Sequence, residues 1–166
     1  MSMQNKLKGL IEVQTNLRKE FQTQAQNAFK EVVKEFFNTN TGINLVTWTQ
    51  YTPYFNDGEA CEFSVGEAYF SNAPSAEEIS YGEYEGDDEA IWSTDDPVRY
   101  LQGNGWDAET TAKVQATKGL DAESIEAFAE ILNSPEMQEI FEAMFGDHVR
   151  VTLTRDGIEV EDYSHD

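Results

Sequence analysis

The chain holds one cysteine, Cys61, four prolines and only 11 lysines and arginines among its 166 residues. A single cysteine excludes an intrachain disulfide and fits a reducing compartment. No apolar run approaches the length that crosses a membrane. The opening residues, MSMQNKLKGLIEVQ, lack the apolar core of a secretion signal, so a cytoplasmic location is expected. There is no G-x-G-x-x-G, no phosphate-binding loop, no H-E-x-x-H and no C-x-x-C. Nucleotide and zinc chemistry therefore have no footing, and neither a cofactor nor a metal is expected. The shortage of bases also argues against direct binding to a nucleic-acid backbone, which needs Lys and Arg to displace counterions.

What the chain has in excess is acid. Its 32 aspartates and glutamates give a formal net charge of −21. Disordered acidic chains are poor in aromatics, whereas 12% of these residues are aromatic and 39% apolar, so a folded domain is expected. The charge is unevenly placed. Residues 1–40 carry six bases (Lys6, Lys8, Arg18, Lys19, Lys30, Lys34) and four acids; the other 28 acids follow, with five bases among them. Part of the first segment could answer that acidity internally.

Periodicity divides the chain into five stretches of one domain spanning residues 1–166. Residues 4–37 read as one long helix, with apolar residues from Leu7 to Phe37 at mostly three- and four-residue steps, stopped by NTNTG at 38–42. Such a helix is too long for a small core alone; either it spans the sheet or its free end pairs with a second copy. Residues 43–52 and 61–70 read as a β-hairpin (43–70) turned at Asn56-Asp57-Gly58. Residues 71–96 form an acidic loop. The helical segment 97–146 holds four helices: 97–102, opened by Asp96-Pro97; one capped by Asp107 and running to Lys118; 122–133, capped by Asp121; and 135–145, capped by Ser134-Pro135 and stopped at Gly146. A second hairpin, 148–163, turns at Asp156-Gly157. The expected fold is α+β: an antiparallel sheet of about four strands from two hairpins, with helices on one face.

Three stretches carry residue types that do chemistry. Glu83, Glu85, Asp87, Asp88 and Glu89 are hard oxygen ligands, but their spacing departs from the calcium-loop pattern; a solvated loop explains them as well. Glu67 shares an expected strand face with Cys61, Phe63, Val65 and Tyr69, where burial would raise its pKa as a hydrolase needs; the alternative is a strand end turned to solvent. Cys61 lies beside Glu59 and Glu62, which disfavour a thiolate, and His148 and His165 are distant in sequence, so a buried structural thiol is expected.

The stretch WTQYTPYFNDGEACEF gathers Trp48, Tyr51, Tyr54, Phe55 and Phe63. Cross-strand packing accounts for such a cluster, and so does a binding patch at a hairpin tip. Around it, residues 43–70 resemble uncharacterised acidic proteins of tailed phages. That resemblance implies no residue roles; it does imply the host cytoplasm as the place of action.

The remaining question is what the acids are for. Nine lie in 77–96 and eight in 121–147, and neither segment contains a base. Ordinary helices place Lys four residues after Glu for support; these do not. Rows of carboxylates on a folded scaffold imitate a phosphate backbone, and in this character the chain is similar to DNA-mimic proteins. The expectation is a non-enzymatic acidic interaction protein that binds a basic protein, a nucleic-acid-binding one if the mimicry is literal, by electrostatic masking. Its surface would comprise Glu83, Tyr84, Glu85, Asp87, Asp88, Glu89, Trp92, Asp95 and Asp96 in the acidic stretch, and Glu123, Glu126, Glu130, Glu136 and Glu139 on the helices. The alternative is a structural or assembly protein, a homo-oligomer held by the N-terminal helix, whose acids only solvate it.

Overall fold

A computed structural model describes residues 2–55, 57–72, 91–93, 96–105 and 108–164. In chain order the elements are helix α1 (Met3–Thr39), strands β1 (Leu45–Tyr51), β2 (Ser64–Val65), β3 (Tyr69–Ser71) and β4 (Ile91–Ser93), helices α2 (Asp96–Leu101), α3 (Ala108–Ala116), α4 (Ala122–Asn133) and α5 (Pro135–Phe145), and strands β5 (Val149–Thr154) and β6 (Gly157–Asp162). The fold is α+β, as expected. The strands form one antiparallel sheet in the order β4-β3-β1-β5-β6, with β2 also pairing β1. The two hairpins join through β1 and β5, which pair along Leu45–Gln50 and Val149–Thr154.

The helices cover one face of this sheet. Val46 and Trp48 of β1, Val151 and Leu153 of β5 and Phe70 of β3 point into a core closed by Phe29, Val33, Phe36 and Phe37 of α1, Ile125, Phe128 and Leu132 of α4 and Phe141 of α5. Aromatic rings make the joints: Phe36 and Phe128 lie 4.5 Å apart between centroids, and Phe29 meets Phe141 edge-on at 5.2 Å. Burying each such side chain contributes about 1.5–3 kcal/mol. The opposite face of β1 carries Leu45 and Thr47, also buried, and Thr47 Oγ1 donates to the Val151 carbonyl at 3.1 Å. Both faces of this strand are thus covered, which explains its lack of clean alternation.

Several expectations need correction. The run 61–70 is not one strand. Gln50 pairs with Val65, but Thr47 pairs with Tyr69, so one extra residue is inserted between them. This is a β-bulge. Gly66 makes it possible: its N–H donates to the Thr49 carbonyl at 2.8 Å, and a Cβ there would stand 2.9 Å from that oxygen. The slip reverses the alternation, so Val65, Ala68 and Phe70 are buried while Glu67 faces solvent. Cys61 precedes the paired residues and is exposed, not a buried thiol.

The span 71–96 is not wholly loop, because β4 lies within it and pairs with β3. The second hairpin turns at Arg155-Asp156, one residue earlier than expected, with Gly157 already paired to Thr154. Helix α3 ends at Ala116, two residues short of the expected Lys118. The antiparallel sheet of about four strands is present as expected, with five strands along the main path and the two-residue β2 beside it.

One polar cluster fastens the body. Asn40, fully buried at the end of α1, donates from its amide to the Phe36 carbonyl at 3.1 Å and to the Ser124 hydroxyl at 2.6 Å, and accepts from the Asp121 N–H at 2.8 Å. Arg155, from the β5–β6 turn, donates to the carbonyls of Phe37, Asn40, Thr41 and Ile43. These are carbonyls at and just beyond the helix end, which a cation suits.

A candidate carboxylate interface and an exposed helix face

Helices α4 and α5 follow one another across Ser134, and local signals set both. The Asp121 carboxylate accepts from the Ser124 N–H at 3.1 Å and opens α4. Pro135 occupies the first turn of α5, where its missing N–H costs nothing. Each helix buries one stripe and leaves its glutamates outside. Glu123, Glu126 and Glu130 are exposed on α4, and Glu136, Glu139 and Glu142 on α5. Among the described residues, no ion pair joins any of them to a base. The Ser134 hydroxyl, instead of capping the helix, donates to Glu136 at 2.6 Å. That bond and its own backbone N–H hold the Glu136 carboxyl below its usual range.

The other residues expected at this surface, seven acids with Tyr84 and Trp92, lie in the acidic stretch. Glu83, Tyr84, Glu85, Asp87, Asp88, Glu89 and Asp95 lie outside the described residues. Trp92 is the middle residue of β4, paired with Phe70, and Asp96 begins α2. Helix α2 packs against α4. Glu142 belongs with the helical row; its three-residue step from Glu139 was the available signal.

Asp147 is the most heavily engaged acid among the described residues. Its oxygens accept from the Thr52 N–H and hydroxyl, each at 2.7 Å, and from the His148 N–H at 2.8 Å. Burial pushes this carboxyl up, but the Thr52 and His148 bonds and the nearby His148 imidazole outweigh it, and the net shift is downward. His148 stacks on Tyr54 at 5.0 Å, with its Nε2 3.6 Å from Asp147. The cluster pins the α5–β5 corner to the end of β1. Beside it, Gln50 donates to the carbonyls of Phe141 and Gly146 and accepts from the Trp48 indole. Among the described residues no group of three or more His, Cys, Asp or Glu is placed to hold a metal ion, and no helix is long and apolar enough to cross a membrane.

Helix α1 supplies a second surface. It runs 37 residues, about 55 Å at 1.5 Å per residue. Its buried residues begin only at Phe29. Before that, Met3, Leu7, Leu10, Leu17 and Phe21 are exposed, as are Ile11 and Val13. Soluble domains rarely leave so long an apolar row uncovered without a use for it. An open groove of about 600 Å³ runs between this row and α5, lined by Leu17, Phe21, Ile140 and Ala143 with Glu136 and Glu139 at its rim.

No protein-family model, curated protein or solved structure matches this chain.

Proposed function

We propose that the protein is a non-enzymatic interaction protein that binds a basic, nucleic-acid-binding protein and masks its phosphate-binding surface. The observation that carries this reading is the row of exposed glutamates on α4 and α5, with no base anywhere in residues 121–147. Like charges three and four residues apart cost helix stability. A partner rich in Lys and Arg would recover that cost, and charge of this density speeds encounter and selects the partner. Action in the cytoplasm, without direct nucleic-acid contact, belongs to the same proposal.

The test is capture from cell extract at low salt, eluted by a salt gradient with and without duplex DNA. A basic nucleic-acid-binding protein released at moderate salt and displaced by DNA supports masking. Retention unchanged at about 0.5 M salt, where the Debye length is only a few ångströms, overturns it. Replacing Glu123, Glu126 and Glu130 by Gln together should release the partner at clearly lower salt.

A second reading is favoured by the uncovered apolar row of α1. In it the chain is an assembly protein that self-associates through this helix, and its acids keep the assembly dissolved. The two readings meet at α5, where Glu136 and Glu139 border the groove beside the α1 row, while Glu123, Glu126 and Glu130 belong to the masking reading alone.

A further inference from the structure

The exposed row of α1 does not simply continue the stripe that enters the core. At about 100° per residue, Met3, Leu7, Leu10, Gln14, Leu17 and Phe21 centre on one line along the helix. Phe29, Val33 and Phe36 centre about a quarter-turn away. The steps between the first six alternate strictly between four and three residues, which is the heptad spacing of a two-helix seam. Leu7, Gln14 and Phe21 take one seam position, and Met3, Leu10 and Leu17 the other.

We infer that this face is covered by a second copy of the chain, with the two α1 helices antiparallel and their two-fold axis crossing the seam at the level of Glu12, which itself lies on the outer face. The row is self-complementary about that point. Leu7 and Leu17 are equidistant from Glu12, as are Leu10 and Gln14, and Met3 and Phe21. Each residue of the first seam position then meets one of the second, so every layer is filled, and each Gln14 packs against a leucine at the edge of the two-fold.

The flanking residues decide the direction. When two helices run antiparallel, each flank of the seam meets the same flank of the other helix; when they run parallel, it meets the opposite flank. One flank of α1 carries Lys6, Val13 and Glu20, and the other Gln4, Ile11 and Arg18. The antiparallel arrangement brings Val13 to Val13 and Ile11 to Ile11 across the axis. It also brings Lys6 to Glu20 of the second copy, twice by symmetry. The parallel arrangement sets Lys6 against Ile11 and Val13 against Arg18, and stacks Gln14 on Gln14. Only the first matches apolar with apolar and base with acid.

Charge and extent agree with this occupant. The N-terminal turns of the second copy carry Lys6 and Lys8, and they run toward the groove between α1 and α5 that Glu136 and Glu139 border. Seven large apolar side chains, with Leu10 66% and Phe21 59% exposed, are available on each copy. Together with their neighbours they offer area approaching the roughly 800 Å² per partner of a standard interface. A closed two-fold pairing of this kind uses the same patch on both copies and stops at two.

This inference rests on the self-association reading above, and the experiment separates the two. Sedimentation of the full chain over about a hundredfold range of concentration tests association itself. A dimer is expected, and Leu10→Asp should make it monomeric while leaving the core's near-ultraviolet signal unchanged. A monomer throughout, or a dimer indifferent to Leu10→Asp, overturns both the reading and the inference.

Orientation is read by oxidative cross-linking in a Cys61→Ser background. Val13→Cys should link to itself, and Leu7→Cys should link to Leu17→Cys but not to itself. Self-linking of Leu7→Cys with none at Val13→Cys overturns the antiparallel arrangement while leaving self-association standing. Lys6→Glu and Glu20→Lys should each weaken the dimer about threefold or more, and the double variant should restore it. Absence of that rescue also counts against the antiparallel register.

Discussion

The side-chain amide of Asn40 donates to the hydroxyl of Ser124 across 2.6 Å, tying the residue that caps the long helix to the first turn of α4. The same side chain takes the Asp121 N–H and returns a bond to Phe36. One buried and two partly buried hydrogen bonds depend on it. Asn40→Ala should destabilise the protein by about 2–3 kcal/mol in urea unfolding, since leaving buried partners unpaired costs more than the bonds contribute. Asn40→Asp should be comparably harmful, because it removes the amide donor and buries a charge.

Arg155 does the corresponding work from the sheet side, and its planar guanidinium reaches four carbonyls at once while lying 5.4 Å over the Phe37 ring. Arg155→Lys keeps the charge but cannot reproduce that fork. A loss of about 1–3 kcal/mol is expected, with Arg155→Met at the upper end. A thermal melt of both variants checks the order.

Gly42 lies where a Cβ would stand 2.3 Å from the Lys118 carbonyl oxygen. Its own N–H donates to the Gly119 carbonyl at 3.0 Å, so the two segments cannot separate without losing that bond. Gly42→Ala should cost about 1–3 kcal/mol by forcing the backbone apart. Gly9→Ala is the control: it meets nothing within 4 Å and lies in an exposed helix, so it should stabilise slightly.

Asp147 gives the protein a specific acid sensitivity. Its folded pKa lies below the ordinary 3.8, so its contribution is fully present above that value and is lost as pH falls through the folded pKa. Asp147→Asn should lower stability at neutral pH and flatten the stability profile below about pH 4. A stability profile of the variant parallel to that of the parent through this range would exclude the role.

The glutamate rows predict an unusual response to salt. Glu126 and Glu130 stand one helical turn apart with no base between them. Added salt should therefore raise the melting temperature, and Glu130→Lys should raise it by about 1–2 °C at low ionic strength by turning repulsion into attraction. If the carboxylates are the binding surface, the same substitution should weaken partner binding. A variant that gains stability and keeps full binding would separate Glu130 from the interface.

The elements legible in the sequence were those with local punctuation. Asp121, Ser134-Pro135 and Gly146 bound α4 and α5 to the residue, because caps act within one turn. The split of 61–70 was not legible, since the bulge follows from Gly66 pressing on Thr49, a contact made only when β1 is in place. With the bulge went the expected faces of Cys61 and Glu67. Strand β4 is three residues long and has no period to read. The grip of Arg155 on carbonyls more than a hundred residues earlier leaves no local trace. Of the surface, the exposure of the helical glutamates could be read from spacing, because each opposes a strongly apolar stripe. The exposed row of α1 could not be told from its core stripe, since both keep three- and four-residue steps and differ only in direction.

That division within α1 sets how its amide protons behave. The residues around Phe29, Phe36 and Asn40 are held by α4, α5 and the Arg155 turn, so their amides exchange with solvent only when the whole domain opens. The turns before Phe21 touch little of their own chain and open on their own. One unbroken helix therefore has two clocks. The fast one slows only when a second molecule lies along it, so exchange at Leu10 and Leu17 should depend on protein concentration while exchange at Phe36 does not.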